Sequence, residues 1–134
     1  MIAAGVIVTH KGSVLLAKRA LTYKGEPVPF GGYWSIFTGA VDAPDASVAH
    51  AAQRELQEET QIEAPLEEIV YVKTIQNSSC TLNVYAYKAP TLVTPQLDYE
   101  HTEYGWFAIS SLDFFPEKMD PKVLECIKLW NENA

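Results

Sequence analysis

Arg54-Glu55-Leu56-Gln57-Glu58-Glu59 sets three carboxylates and one guanidinium side by side in a single short run. The segment around it, Ala46 to Thr60, lacks Pro and Gly and is rich in helix formers. Asp42, Pro44 and Asp45 before it suit a turn leading into a helix N-terminus, so the spacing predicts a helix. At about 100° per residue, Glu55, Glu58 and Glu59 then share one face within roughly a third of the circumference, and their carboxylates should converge. Like charges so spaced cost an isolated helix roughly a few tenths of a kcal/mol per pair, so a positive partner is expected. Hard divalent cations such as Mg²⁺ or Mn²⁺ prefer carboxylate oxygen and keep waters that a phosphate substrate can displace. A solvated acidic face is the plainer alternative for any Glu-Glu pair. It loses ground here because Arg54, the trio and a preceding Gly-bearing turn occur together. Ala49, Ala52 and Leu56 form an apolar stripe beside the acids, which puts the cluster at the border of a buried surface.

The segment resembles the signature box of the Nudix hydrolases, a Gly, a spaced acid, then Arg-Glu-aliphatic-x-Glu-Glu-x-Gly-aliphatic. Arg54, Glu55, Leu56, Glu58, Glu59 and Ile62 match in order and spacing. The flanks depart from it. With Gly39 as the box glycine, Asp45 stands for the first Glu and one extra residue precedes Arg54; without the extra residue, Ala40 sits at the glycine and Ala46 at the acid. Gln61 stands where the family has Gly, and a left-handed residue there is strained by roughly 1 kcal/mol, so the helix is expected to end differently.

The resemblance implies an α/β fold, the Nudix-type α/β/α sandwich with a mixed β-sheet. It implies that Glu55, Glu58 and Glu59 bind Mg²⁺, or Mn²⁺, with the Gly39 carbonyl as a further ligand, and that Arg54 orients the carboxylates. One of the three Glu, or Glu100, would assist the attacking water. The implied reaction is hydrolysis of a nucleoside diphosphate linked to another moiety, foremost a nucleoside triphosphate or related small nucleotide. Glu100-His101 ahead of Tyr104 and Trp106 particularly resembles bis(nucleosyl) polyphosphate hydrolases, which makes a dinucleoside polyphosphate the alternative substrate. The altered flanks keep a third alternative open, a domain that binds nucleotide without hydrolysing it.

The elements that must position these residues follow from the rest of the chain. A length of 134 residues at 48% hydrophobic content fits one domain, 1–134, with a real core. A net charge of −7 and the lack of any basic run argue against nucleic acid or an anionic membrane as partner. The expected compartment is the cytoplasm, with Cys80 and Cys126 as reduced thiols. Ala3 to Thr9 and Val14 to Arg19 read as a hairpin across His10-Lys11-Gly12-Ser13, and an apolar hairpin edge would permit a homodimer. Arg19, at its end, either grips phosphate oxygens or lies in water. Leu21 to Tyr33 is a breaker-rich loop in which Tyr23 and Phe30 either stack on a nucleobase or cover the core's edge. Trp34 to Phe37 reads as a buried strand. Ile69 to Gln76 and Leu82 to Lys88 should pair antiparallel, Tyr104 to Ile109 is a strand, and Ser110 or Ser111 caps a short turn. A last helix runs from Pro121 to about Trp130. Glu103 and His101 read as surface residues.

Overall fold

Ile2–His10 (β1) is buried along nearly its whole length, which a strand requires only when both faces of its sheet are covered. The computed structural model describes residues 1–133 and covers both faces with helices. Ala4, Val6 and Val8 of β1 pack with Ala51, Ala52 and Leu56 of helix α1, Val48–Thr60. Ile7, pointing the other way, packs with Val123, Cys126 and Ile127 of helix α2, Pro121–Asn133. The period-2 alternation of a strand thus feeds two separate cores, and the architecture is the expected α/β/α sandwich.

The remaining strands are β2 (Ser13–Arg19), β3 (Thr22–Tyr23), β4 (Glu26–Pro27), β5 (Trp34–Ser35), β6 (Phe37–Ala40), β7 (Val70–Gln76), β8 (Thr81–Lys88) and β9 (His101–Ala108). β1 runs parallel to β8 and antiparallel to β2 and β6; β7 pairs antiparallel with β8, and β9 with β2. The sheet is mixed. β1 is flanked on both sides and β2 lies between β1 and β9, so among the described residues the hairpin offers no free edge of the kind expected from sequence.

Other differences are local. Leu21 to Tyr33 contains its own small ribbon, β3 with β4, with Lys24 at φ +51° and Gly25 at φ +82° in its turn. Trp34 to Phe37 divides at Ile36 into β5 on β2 and β6 on β1. β9 begins at His101, three residues before the predicted start, because it must reach Arg19 at the far end of β2. Neither Ser110 nor Ser111 caps the 3₁₀ turn Ile109–Phe114, which begins after Ala108 with no side-chain cap. Helix α1 does end left-handed, with Gln61 at φ +65° and its N–H donating to the Gln57 carbonyl at 2.8 Å. Thr60 helps hold that turn. Its hydroxyl donates to the Leu56 carbonyl at 2.6 Å and accepts from Ile62 N–H at 3.1 Å.

Candidate active site

Ser47 caps α1 by accepting from the His50 N–H at 3.1 Å. The turn before it is closed twice over: Asp45 N–H donates to the Asp42 carbonyl at 3.0 Å, and Asp42 N–H donates to Asp45 Oδ2 at 2.8 Å. That closure aims the Asp45 carboxylate back at the helix, where it meets Arg54. Nε and Nη2 of Arg54 donate to Asp45 Oδ1 and Oδ2, both at 2.9 Å. Nη1 donates to Glu55 Oε1 at 2.9 Å and to Glu58 Oε2 at 3.1 Å, and Nη2 also donates to the Ala40 carbonyl at 3.0 Å. These contacts match the five N–H groups a guanidinium has, so Arg54 is saturated. Asp42 adds an ionic contact at 3.3 Å. The Arg54 fork holds Asp45 down to about 2, well below the usual carboxylate range.

Gly39 explains how Glu55 fits. A Cβ at Gly39 would stand 2.0 Å from Glu55 Cδ, so only glycine lets this carboxylate lie against β6. Gly39 is thus the position whose missing side chain admits Glu55, and Asp45 is the acid that meets Arg54. Burial raises the Glu55 carboxyl above its ordinary value, against the pull of Arg54.

Glu59, one position past Glu58, has a different environment. It is 1% exposed, and neither of its carboxylate oxygens has a hydrogen-bond partner. Burial first, then the carboxylates of Glu100, Glu55 and Asp98, push it up to about 10. The Pro-bearing loop after β8 brings the neighbours: Gln96 N–H donates to the Thr60 carbonyl at 2.8 Å and Asp98 N–H to the Glu59 carbonyl at 3.3 Å. Ligand atoms of Glu59, Asp98 and His101 lie within 4.8 Å of one another.

His101 is therefore not the surface histidine expected. Its ring is buried edge-on to Phe37 at 5.3 Å, one nitrogen meets Asp98 Oδ1 at 3.2 Å, and Nε2 has no partner. Burial pulls its pKa down, and the nearby charge of Arg19 pulls the same way. Arg19 sits opposite His101 at a β-bulge, with its Nε buried and unpartnered.

Asp98 was not singled out from sequence, and His101 was read as a surface residue. The available signal was the run Asp98-Tyr99-Glu100-His101, which can form an Asx turn, and Asp98 Oδ1 does accept the Glu100 N–H at 3.0 Å. Tyr99 was also missed. It stacks on Tyr23 with ring centroids 4.7 Å apart, and both line a 380 Å³ cavity with Glu26, Pro27 and Glu100. Glu100 thus touches both the cavity and the acid cluster. Phe30 does not line that cavity; it is exposed, at φ +58°, edge-on to Tyr33. Glu58 stays at the half-exposed rim, so the convergence expected of three carboxylates brings Glu55 and Glu59 inward and leaves Glu58 with Arg54.

This is the geometry of a helix-borne acid site on a mixed sheet, and the sequence assigns its class. The family model for the NUDIX domain matches residues 1–129, and the chain belongs to the Nudix family, hydrolases of pyrophosphate bonds. Among solved structures, it is similar to the NUDIX domain of Shewanella oneidensis NrtR complexed with ADP ribose, at 19% identity and TM-score 0.79, covering 99% of this chain and 87% of that one. It is similar to a MutT NUDIX hydrolase from Burkholderia pseudomallei, at 22% identity and TM-score 0.75, covering 96% and 95%. A C. elegans Ap4A hydrolase is similar at 18% identity and TM-score 0.72, covering 98% and 96%. No curated protein matches the sequence.

Proposed function

We propose that this Nudix domain is a divalent-cation-dependent pyrophosphohydrolase that cleaves a nucleoside diphosphate linked to another moiety, with a nucleoside triphosphate or related small nucleotide as substrate. The observation that carries this reading is Glu59: a buried carboxyl that no donor of the described residues reaches, set against the carboxylates of Glu100, Glu55 and Asp98, of which Glu100 also lines the aromatic cavity. A buried polar group normally has a partner, and one surrounded by acids calls for a cation from outside the chain. The oxygen-rich donor set fits Mg²⁺, with Mn²⁺ as substitute.

Glu55, Glu58 and Glu59 would hold the metal, with the Gly39 carbonyl as a further ligand. When bound, the cation supplies charge neutralisation at the diphosphate and a lowered pKa for water. The chain's own groups do the rest. Arg54 braces Glu55 and Glu58 from behind, so their oxygens need little reorganisation on loading. Glu100, between the acids and the cavity, is positioned to accept the proton of the attacking water. Tyr23 and Tyr99 offer ring faces to a base, and Arg19 brings a cation to the end of β2, where the bulge meets His101. Phe30 lies outside this cavity and is the weakest of the proposed substrate contacts.

The dinucleoside polyphosphate alternative was drawn from Glu100 to Trp106. Trp106 donates its indole N–H to the Val93 carbonyl at 2.9 Å and packs, partly buried, against the core cluster that includes α1, so its placement is accounted for by bracing the loop that carries Asp98. That leaves the smaller nucleotide favoured. The test is product analysis for ATP, dGTP, ADP-ribose and diadenosine tetraphosphate with Mg²⁺, Mn²⁺ or chelator. Metal-dependent cleavage of one triphosphate well above the rest is expected. Preference for diadenosine tetraphosphate would reverse the two substrates. Folded, nucleotide-binding protein silent across the panel would establish the binding-only alternative.

A further inference from the structure

At the opposite end of β2 from Arg19 lies a second cavity of 460 Å³, formed where the β1–β2 turn, the end of β8 and the last turn of α2 meet. β2 has seven residues, so at about 3.3 Å per residue this cavity is roughly 20 Å from the acid site. Its charge is the reverse. Lys11 and Lys88 line it with His10, Thr9, Trp130 and Asn131, and among the described residues no acid does.

Acids outnumber bases 17 to 10 in this chain, yet Lys11 and Lys88 form no ion pair among the described residues, whereas Lys18, Lys73 and Lys128 do. The Lys88 ammonium is placed instead over the Trp130 ring, 5.5 Å from its centroid. Two scaffolding bonds fix the walls. Trp130 Nε1–H donates to Thr9 Oγ1 at 3.4 Å, and His10 Nδ1 lies 2.9 Å from the Ala89 carbonyl, which can only accept, so this nitrogen carries the proton. The turn holds Lys11 at φ +44° and Gly12 at φ +81°, and Lys88 is held in register beside Thr9 on the parallel strand. Two ammonium groups without an ion-pair partner among the described residues are thus presented at one concavity.

We propose that this cavity is a second, non-catalytic anion site that takes the phosphate group of a small molecule. It is independent of the reaction assigned above, since none of its residues lies in the acid site and binding there needs no divalent cation.

The experiment is titration of ¹⁵N-labelled full-length chain, in chelator, with inorganic phosphate, glycerol phosphate and AMP in separate arms. The expected result is a saturable shift of the Trp130 indole resonance and of the Lys11 and Gly12 amides, with the Trp34 and Trp106 indoles unmoved. Lys88→Gln and Lys11→Gln should each weaken it about tenfold, the size of one charge-assisted hydrogen bond. Lys11 is exposed on a turn, so its variant keeps the test decisive if Lys88→Gln fails to fold. The arm that binds tightest identifies the source of the phosphate: free, on an aliphatic alcohol, or on a nucleoside. No shift up to millimolar phosphate in every arm, or binding unchanged in both lysine variants, would overturn the proposal. Because metal is excluded and turnover is not read, either outcome leaves the hydrolase assignment untouched.

Discussion

Two acid groups on the same helix, separated by a single residue step, are treated in opposite ways. Glu58, with Glu55, Asp45 and Asp42, faces one guanidinium that gives each of the four carboxylates a donor or a close charge. Glu59 is set among the acids Glu100, Glu55 and Asp98 and close to the His101 ring. The chain supplies its own counter-charge on one side and withholds it on the other. A compensated cluster holds its shape alone. An uncompensated one costs folding energy until something positive arrives, which is how a binding site for a cation differs physically from an acidic surface.

The sharpest way to break this contrast is at Glu59. Glu59→Gln keeps shape and removes charge, and turnover of the best substrate should fall by about 10³-fold, within the usual range for losing a proton-transfer or electrostatic group at a reacting centre. Near-normal turnover would sink the site assignment. The same variant makes a stability prediction with the opposite sign. Between the ordinary carboxyl value of 4.5 and about 10, native Glu59 keeps a proton that the unfolded chain releases. Stability of metal-free protein should therefore fall as pH rises, by up to about 1.4 kcal/mol per unit. His101 works the other way at lower pH, since its native form is held neutral. Denaturant melts from about pH 7 to 9 in chelator isolate the Glu59 contribution. Wild type should weaken across that window, Glu59→Gln should stay flat, and Mg²⁺ should restore wild type most at the alkaline end.

On the compensated side the expected loss is smaller. Arg54→Gln strands several partly buried carboxylates and should cost about 2 kcal/mol in denaturant melts. Activity should drop roughly 10–100-fold, as for the loss of a group that orients metal ligands. A loss as deep as that of Glu59→Gln would erase the distinction between brace and site. Gly39→Ala tests the junction of the two halves, because its Cβ must push the Glu55 carboxylate off β6. About 1–3 kcal/mol of strain is expected, with weaker Mg²⁺ binding by calorimetry.

The compensated half was legible in the sequence, and of the uncompensated half Glu59 and Glu100 were named while Asp98 was missed and His101 was read as a surface residue. Helix α1 and its Arg-Glu-x-x-Glu-Glu order follow from local composition and spacing, which is why its span was predicted to within two residues at its start and none at its end. The sandwich followed from the family resemblance, and the apolar run of β1 with the alternation beside it agrees. The left-handed Gln61 was misjudged because strain of roughly 1 kcal/mol is small beside the Thr60 and Gln57 bonds that hold the turn. Asp98 and His101 reach Glu59 across some forty residues of chain, through a loop tied to the end of α1 by backbone bonds. No periodicity encodes such a contact. The free hairpin edge failed for the same reason: pairing of β2 with β9 is long-range and invisible to local pattern.

The smallest predicted effect asks whether the cavity beside the uncompensated acids reads the base. Tyr99 and Phe30 are both exposed aromatics near the β3–β4 ribbon, but only Tyr99 lines the cavity and neighbours Glu100, whose charge raises the Tyr99 phenol above its ordinary value. Base–aromatic stacking is worth about 1–3 kcal/mol, so Tyr99→Ala should raise KM about tenfold while leaving kcat within a factor of about two. Phe30→Ala, which removes an exposed ring edge-on to Tyr33 and outside the cavity, should change neither. Steady-state kinetics on the two variants decide it. Equal KM increases would mean that the ribbon closes over the substrate and brings Phe30 in, so that the cavity seen here is only part of the base site. No change in either would move base recognition away from this ribbon altogether and leave Glu100 as the one residue linking the cavity to the chemistry.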